Sequence, residues 1–173
     1  MTGIFHFYNM KYRRLQTREL EAVQEEFVQF LVSNTIVAED WVKLKEENPA
    51  KAEGLIDIFS EIFWEKALSK IRCVEIRKSH VLRVMIFLEE EIRMVELQLP
   101  ATSGLDLTHA KDIEGIADGT TDIAAHAPEM YIGSKKFEVN KNEDMFRFIE
   151  GGAIPCSENL YFGLMSMAGD QGE

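Results

Sequence analysis

The sequence has few cysteines and no long apolar run. Cys73 and Cys156 are its only two cysteines, and they stand far apart without a CxxC pair or a Cys/His cluster. Neither a disulfide framework nor a structural zinc site is therefore expected. No stretch approaches the roughly 20 apolar residues that span a bilayer, and the start of the chain lacks the features of an export signal. The sequence predicts a soluble, cytoplasmic protein in a reducing compartment, without membrane contact.

Basic residues are also scarce. The 19 Lys and Arg residues face 30 Asp and Glu residues, which gives a net charge of −11. The imbalance is largest in residues 101–173, which hold 5 basic against 13 acidic side chains. Such a surface repels phosphate backbones, so DNA binding is not expected. RNA contact is not expected either, except through the short basic segment at residues 11–14.

The composition is that of an ordinary globular domain, with 46% hydrophobic residues and only 4 prolines, so apolar burial can offset the loss of chain entropy. No repeat or linker divides the chain. We predict a single α+β domain over residues 10–167 and a flexible tail at 168–173. Residues 1–9 show no cap and no periodicity, and we interpret them as a non-native or flexible extension, with Met10 as a candidate native start.

Apolar periodicity predicts three N-terminal helices. The first begins after a Thr17 cap, the second covers about 38–47, and the third follows an Asn48 cap with Pro49 at its first position. The third has the widest apolar stripe and is predicted to be the central core helix. Its stripe consists of Leu55, Ile58, Phe59, Ile62, Phe63 and Leu68, widened by Ile56 and Trp64.

The period then changes to that of strands. Ile71–Arg77, Val81–Leu88 and Ile92–Leu99 predict a three-stranded antiparallel meander, to which Met130–Ile132 adds a fourth strand at the edge. The third run has apolar residues on both faces, which either a bulge near Met94 or burial on both faces would explain. Two C-terminal helices complete the prediction. Their caps are Asn140 or Asn142 for the first, which stops at Gly151-Gly152, and Ser157 for the last.

No motif gives a catalytic signature. The four histidines do not pair at metal-ligand spacing, and Asp106, His109, Asp112 and Glu114 are more simply a helix cap with a solvated face than an acid–base pair. The run from Asp118 to Asp122 lacks the ligand pattern of a calcium loop and favours a turn. We predict no catalytic residue, no cofactor and no metal ligand.

The segment Lys11-Tyr12-Arg13-Arg14 is unusual, because bases at the start of a helix oppose its macrodipole. One explanation is internal pairing with the protein's own carboxylates. The alternative is a basic-aromatic patch that docks an acidic partner or an RNA phosphate.

The N-terminal part resembles a family of small uncharacterised bacterial proteins, of the kind seen in Bacteroidetes-type genomes, that open with Met-Lys-Tyr-Arg-Arg-Leu. The resemblance covers residues 10–75, supports Met10 as the start and implies no known activity. The residues that carry it are Met10–Leu15, Glu19–Glu21, Glu26-Phe27, Phe30-Leu31, Asp40-Trp41 and Ile56–Ser60.

From these features we expect a non-catalytic, cytoplasmic protein-binding or adaptor domain with an unidentified protein partner. The binding residues would be Trp41, Trp64 or the segment Lys11, Tyr12, Arg13 and Arg14. The alternative is a small-molecule enzyme or sensor, with a pocket between sheet and helices and the Asp106 to Glu114 cluster as its polar groups. A convergent pocket favours the second hypothesis, and an exposed apolar patch favours the first.

Overall fold

The structure is a computed structural model that describes residues 10–169. Its backbone contacts divide the chain into two compact units, one ending at Ala67 and one beginning at Leu68. We call them the helical unit and the sheet unit. The single domain inferred over residues 10–167 stays a prediction, and the proposed extension at residues 1–9 lies outside the described chain.

The helical unit contains the three predicted helices, but the first is divided. Val23 has non-helical backbone angles and separates two shorter helices. The cap of the first is Gln16 rather than the predicted Thr17, because Gln16 and Glu19 form a reciprocal capping box. The helices are α1 (Thr17–Ala22), α2 (Gln24–Ser33), α3 (Ala38–Glu47) and α4 (Pro49–Leu68).

Helix α4 begins as the sequence predicts, since the Asn48 side chain accepts a hydrogen bond from the Lys51 N–H at 3.1 Å. Its burial does not follow the prediction of a central core helix. Phe59 is buried, whereas Ile58 and Ile62 are 46% and 51% exposed. An apolar stripe this wide extends beyond the face that neighbouring helices can cover.

The sheet unit is built on an antiparallel sheet with strand order β4-β3-β2-β1-β5. The three predicted meander strands and the predicted edge strand are present, and a fifth strand of only two residues, which the sequence analysis missed, pairs with β1. The strands are β1 (Cys73–Lys78), β2 (Val81–Phe87), β3 (Glu91–Gln98), β4 (Glu129–Lys136) and β5 (Ile154–Pro155).

The register between β2 and β3 is continuous from Val81↔Gln98 to Phe87↔Ile92. No bulge interrupts it, so burial on both faces explains the apolar pattern of β3. Helices cover the sheet: α5 (Ala110–Ala117) and α7 (Glu158–Gly169) contribute to the core on one face, and α6 (Lys141–Glu150) approaches the other. Short 3-10 turns occur at Ala101–Ser103 and Ile123–His126.

The main core of the sheet unit lies between the sheet and helices α5 and α7. Alternate residues of the central strands, such as Val84 and Val95, belong to one buried cluster with helix residues such as Ile116 and Leu164. Of the two candidate caps for α6, Asn140 and Asn142, the structure selects Asn140, which accepts from the Glu143 N–H at 3.0 Å. The predicted cap of α7 is confirmed, since Ser157 accepts from the Asn159 N–H at 3.2 Å.

Helix α7 includes Ala168 and Gly169, which the sequence analysis assigned to a flexible tail. The remainder of that predicted tail lies outside the described residues.

Candidate functional site

The basic segment, residues 11–14, is held by carboxylates of the helical unit. Arg13 forms two hydrogen bonds to Glu19, at 2.6 and 2.7 Å. Arg14 binds Asp57 and Glu53 on α4. These contacts are the internal pairing that the sequence analysis considered, and they place the charges of both guanidinium groups beside acidic side chains.

The aromatic residue of this segment is buried rather than displayed. Tyr12 is 3% exposed, and its hydroxyl donates to Glu65 on α4. Trp64 donates its indole N–H to the carbonyl oxygen of Arg13 at 3.0 Å, and the Arg13 guanidinium lies 5.1 Å from the Trp64 ring centre. These contacts therefore hold residues 12 and 13 against α4.

The electrostatics agree with this pairing. The hydrogen bond to Asp57, followed by that to Glu53, raises the pKa of Arg14 above its ordinary value. The hydrogen bond from Arg13 lowers the pKa of Glu19. Both groups are partly exposed, so solvent screens the pairs and their contribution to stability is small.

Trp41 belongs to an aromatic cluster shared by α2, α3 and α4. Its ring meets Phe27 edge-on with centres 5.4 Å apart, and Phe27 meets Phe59 at 5.0 Å. Trp41 is half-buried, and the Lys45 ammonium lies 5.9 Å from its ring centre. Trp41 thus combines a structural contact with a partly accessible ring.

Two helices of this unit expose apolar pairs that the sequence analysis assigned to the core or passed over. Val28 and Val32 lie one turn apart on α2, and Ile58 and Ile62 lie one turn apart on α4. Their exposed fractions range from 46% to 58%. The excess width of the apolar stripe on α4 was the signal that could have identified Ile58 and Ile62 as exposed. Val37 and Val42 are also about half exposed.

The Asp106 to Glu114 cluster is occupied by local turn contacts. The Asp106 carboxylate accepts from the N–H and the hydroxyl of Thr108, at 2.9 and 2.7 Å. These bonds lower the pKa of Asp106. Asp112 accepts from the Asp106 N–H at 2.9 Å, and His109 is the residue preceding α5. Each interaction shapes the start of α5, and none directs these groups toward a shared ligand position.

The run from Asp118 to Asp122 forms the turn that its residues favour. Asp118 accepts from the N–H and hydroxyl of Thr120, and Gly119 has a φ of +76° that side chains rarely adopt. Among residues 10–169, no group of three or more His, Cys, Asp and Glu side chains is placed to hold a metal ion.

An open cleft of about 260 Å³ lies on the face of the sheet toward α6. Met85, Ile92 and Met94 form its apolar part, and Gly133, directly opposite Met94, leaves space above the neighbouring strand. Lys135 and Phe148 border it. The Lys135 ammonium lies 5.3 Å from the Phe148 ring centre and 3.0 Å from Glu138.

The comparison with protein families identifies the chain. A family of unknown function, DUF6495, matches residues 10–169. The chain belongs to this family. The inferred membership of an uncharacterised family is thus confirmed, while the bacterial origin and the start at Met10 stay predictions. No curated protein and no solved structure matches this DUF6495 chain.

No helix in the described part of this DUF6495 protein is both long and apolar enough to cross a membrane.

Proposed function

We propose that this DUF6495 protein is a non-catalytic, cytoplasmic protein-binding or adaptor domain, and that the helical unit carries its binding surface. The observation that supports this proposal most directly is the exposure of the pairs Val28/Val32 and Ile58/Ile62. Water contact with large aliphatic side chains is unfavourable, and covering them contributes roughly 25 cal/mol per Å² of apolar surface. A protein partner with an apolar face would gain that contribution.

The neighbouring aromatic cluster adds to this argument. Phe27 and Phe30 are ring-stacked on α2 next to Val28, with centres 6.2 Å apart. Trp41 leans against Phe27 and keeps part of its ring accessible. Tryptophan is among the residues that most often dominate the binding energy of an interface. Trp41 therefore remains in the proposed surface.

The segment Lys11 to Arg14 enters the proposal in a different role. Its arginines are bound to Glu19, Asp57 and Glu53, so an acidic partner or an RNA phosphate would have to displace existing pairs. We assign these residues the role of positioning α4, and not that of the principal contact surface.

The test compares two sets of surface variants. One carries Val28→Gln, Val32→Gln, Ile58→Gln and Ile62→Gln. The control carries Ile132→Thr and Val139→Thr, which change equally exposed apolar residues of the sheet unit. Proteins captured from native lysate by the wild type are identified, purified and titrated against each variant. We expect at least tenfold weaker binding for the helical-unit variant and unchanged binding for the control.

Circular dichroism and thermal unfolding check that the variants are folded. We expect them to be, because an exposed substitution usually changes the free energy of unfolding by no more than about 0.5 kcal/mol. Equal binding by all three proteins would contradict the proposed surface. Absence of any partner, together with stabilisation by a small molecule, would replace the proposal with the alternative below.

The alternative is a small-molecule sensor that uses the cleft between the sheet and α6. Its apolar residues and the cations Arg83 and Lys135 suit an organic anion with an apolar body. Arg83 is already bound to Glu96, which makes this the weaker candidate. A thermal-shift screen of organic acids tests it: a stabilising acid should lose its effect in Gly133→Val, where a side chain enters the cleft.

A further inference from the structure

The two cysteines, 83 residues apart in sequence, meet in the sheet unit. Their Sγ atoms lie 3.3 Å apart, and both are free thiols. The Cys156 N–H donates to the carbonyl oxygen of Cys73 at 3.0 Å. Strands β1 and β5 pair as Val74↔Pro155 and Glu75↔Ile154. Continued by one residue, this register places Cys156 directly opposite Cys73.

This cross-strand position suits a disulfide bond. Residues directly opposite one another in antiparallel strands have Cα atoms about 4.5 to 5.5 Å apart, which lies within the range that disulfides span. The Sγ atoms need to approach by only about 1.3 Å to reach bonding distance. Side-chain rotation and a small backbone shift can supply that movement.

The two thiols differ in exposure. Cys73 is 1% exposed and belongs to the core, whereas Cys156 is half-buried and precedes α7. A soluble reagent therefore meets Cys156 first, and Cys73 lies behind it in contact with its sulfur. This is the arrangement of an entry thiol with a resolving thiol.

The groups around the pair slow the first reaction. The Cys73 sulfur, burial and the Glu75 carboxylate raise the pKa of Cys156, against an opposing effect of Arg77. Since the thiolate is the reactive form, Cys156 reacts slowly at neutral pH and faster as the pH rises. Glu75 is itself 2% exposed, binds Arg77, and has an Oε2 atom without a hydrogen-bond partner among the described residues.

We propose that Cys73 and Cys156 form a redox-active dithiol that closes to an intramolecular disulfide by exchange with a small-molecule disulfide. Cys156 attacks the reagent as the thiolate, which forms a mixed disulfide and releases one reagent thiol. Cys73 then loses its proton and attacks the Cys156 sulfur, which releases the second thiol. The protein loses two electrons and two protons, and the reagent is reduced to two thiols.

The closed form would join the start of β1 to the segment that precedes α7. In the reduced form, β5 is held to β1 through a ladder of two residue pairs and the hydrogen bond at Cys156. The new bond would fix this short edge and the approach to α7, whose Leu160 and Leu164 belong to the core.

The test incubates the reduced, native protein with oxidised glutathione at mildly alkaline pH and follows its intact mass. We expect the wild type to lose about 2 Da and to yield a proteolytic fragment that links Cys73 to Cys156. Its melting temperature should rise and return to the starting value after reduction with dithiothreitol.

Matched variants separate the two steps. Cys73→Ala should retain one glutathionyl group on Cys156, because no resolving thiol remains. Cys156→Ser should acquire none, because Cys73 is buried. If Cys73→Ala does not fold, the wild-type fragment map together with Cys156→Ser still decides the question.

Three results would overturn the proposal: a persistent glutathione adduct on the wild type, two free thiols after prolonged incubation of the native protein, or intermolecular disulfides in place of the internal one. Urea-unfolded protein treated in parallel confirms that the reagent is active.

Discussion

The helical unit and the sheet unit bury their apolar residues to different extents. Among the described residues, five apolar side chains up to Ala67 are buried, against twenty-two from Leu68 onward. Within residues 10–169, the helical unit nevertheless exposes six large apolar residues, and the longer sheet unit exposes five. The aromatic cluster of the helical unit is only partly covered, whereas α5 and α7 close one face of the sheet.

This difference shows where apolar burial is concentrated in the described part of the chain. Alternating strand residues have fixed neighbours on both faces of a covered sheet, so few remain exposed. Helices with wide stripes lack enough neighbours to cover them, and the remaining surface is available to a partner. The following predictions test this contrast.

The largest effect is expected for Leu97→Ala in the sheet core. Leu97 is fully buried, and a cavity at such a site costs about 2 to 5 kcal/mol. Urea unfolding measures the loss, and hydrogen exchange localises it. We expect reduced protection in β2 and β3 and retained protection in α2. Equal loss of hydrogen-exchange protection in both units would show that they unfold together as one cooperative domain.

A smaller loss is expected for Ser60→Ala in the helical unit. The Ser60 hydroxyl is buried, accepts from the Leu15 N–H at 3.1 Å and donates to the Ile56 carbonyl at 2.7 Å. Its removal leaves a buried N–H without a partner, at a cost of about 1 to 3 kcal/mol. Urea unfolding should show this loss. The control Ser166→Ala removes an exposed hydroxyl bonded within α7, and a comparable loss there would contradict the argument.

Thr35→Gly should stabilise the helical unit. Both α2 and α6 end in a Schellman motif, with Ile36 N–H donating to Leu31 and Ala153 N–H donating to Phe148, each at 2.9 Å. The residue with positive φ is Thr35 in the first and Gly152 in the second. A side chain in this conformation costs roughly 1 to 2 kcal/mol, and glycine removes that cost. Part of the gain is lost because glycine has more conformational entropy in the unfolded chain.

Thermal unfolding should therefore show a gain of about 1 kcal/mol or less for Thr35→Gly. The reciprocal variant Gly152→Thr should lose stability. Destabilisation by Thr35→Gly would show that the threonine side chain contributes more than its backbone strain costs.

The smallest effect is a pH dependence at Glu96. Burial alone would raise the pKa of its carboxyl group, but hydrogen bonds from Gln98 and Arg83 outweigh it and lower the pKa. The stabilisation that the ionised Glu96 carboxylate contributes is thus complete above its unfolded-state pKa of about 4.3. It is lost as the pH falls through the lower pKa of the folded state. Unfolding free energies measured from neutral to acid pH should fall less steeply for Glu96→Gln.

The matched variant in the helical unit is Glu19→Gln. The hydrogen bond from Arg13 lowers the pKa of Glu19, but this carboxylate is more exposed than that of Glu96. Its pH dependence should be weaker because solvent screens the pair. Parallel curves for Glu96→Gln and the wild type would contradict the assigned contribution of Glu96.

The sequence by itself determined the secondary structure that depends on local chemistry. Asn48 and Ser157 were predicted as caps from residue type and position, and Asn140 was one of two candidates with Asn142. In the structure Asn48, Asn140 and Ser157 each accept a hydrogen bond from an N–H two or three residues along the chain. Strands β1 to β4 were predicted from short runs rich in β-branched residues, whereas the two-residue β5 was missed. The same local reasoning failed at two positions. Gln16, and not Thr17, caps α1 because it forms a capping box with Glu19, and the non-helical backbone of Val23 ends α1 before α2 begins.

Tertiary structure decided which residues share a surface. Only the pairing of β1 with β5 brings Cys73 to Cys156, and only the approach of residues 11–14 to α4 places Arg14 beside Asp57. Periodicity identifies an apolar face but not how much of it neighbours will cover, which is why Ile58 was assigned to the core. Local patterns fix backbone conformation through short-range hydrogen bonds, whereas burial and thiol proximity depend on residues distant in sequence.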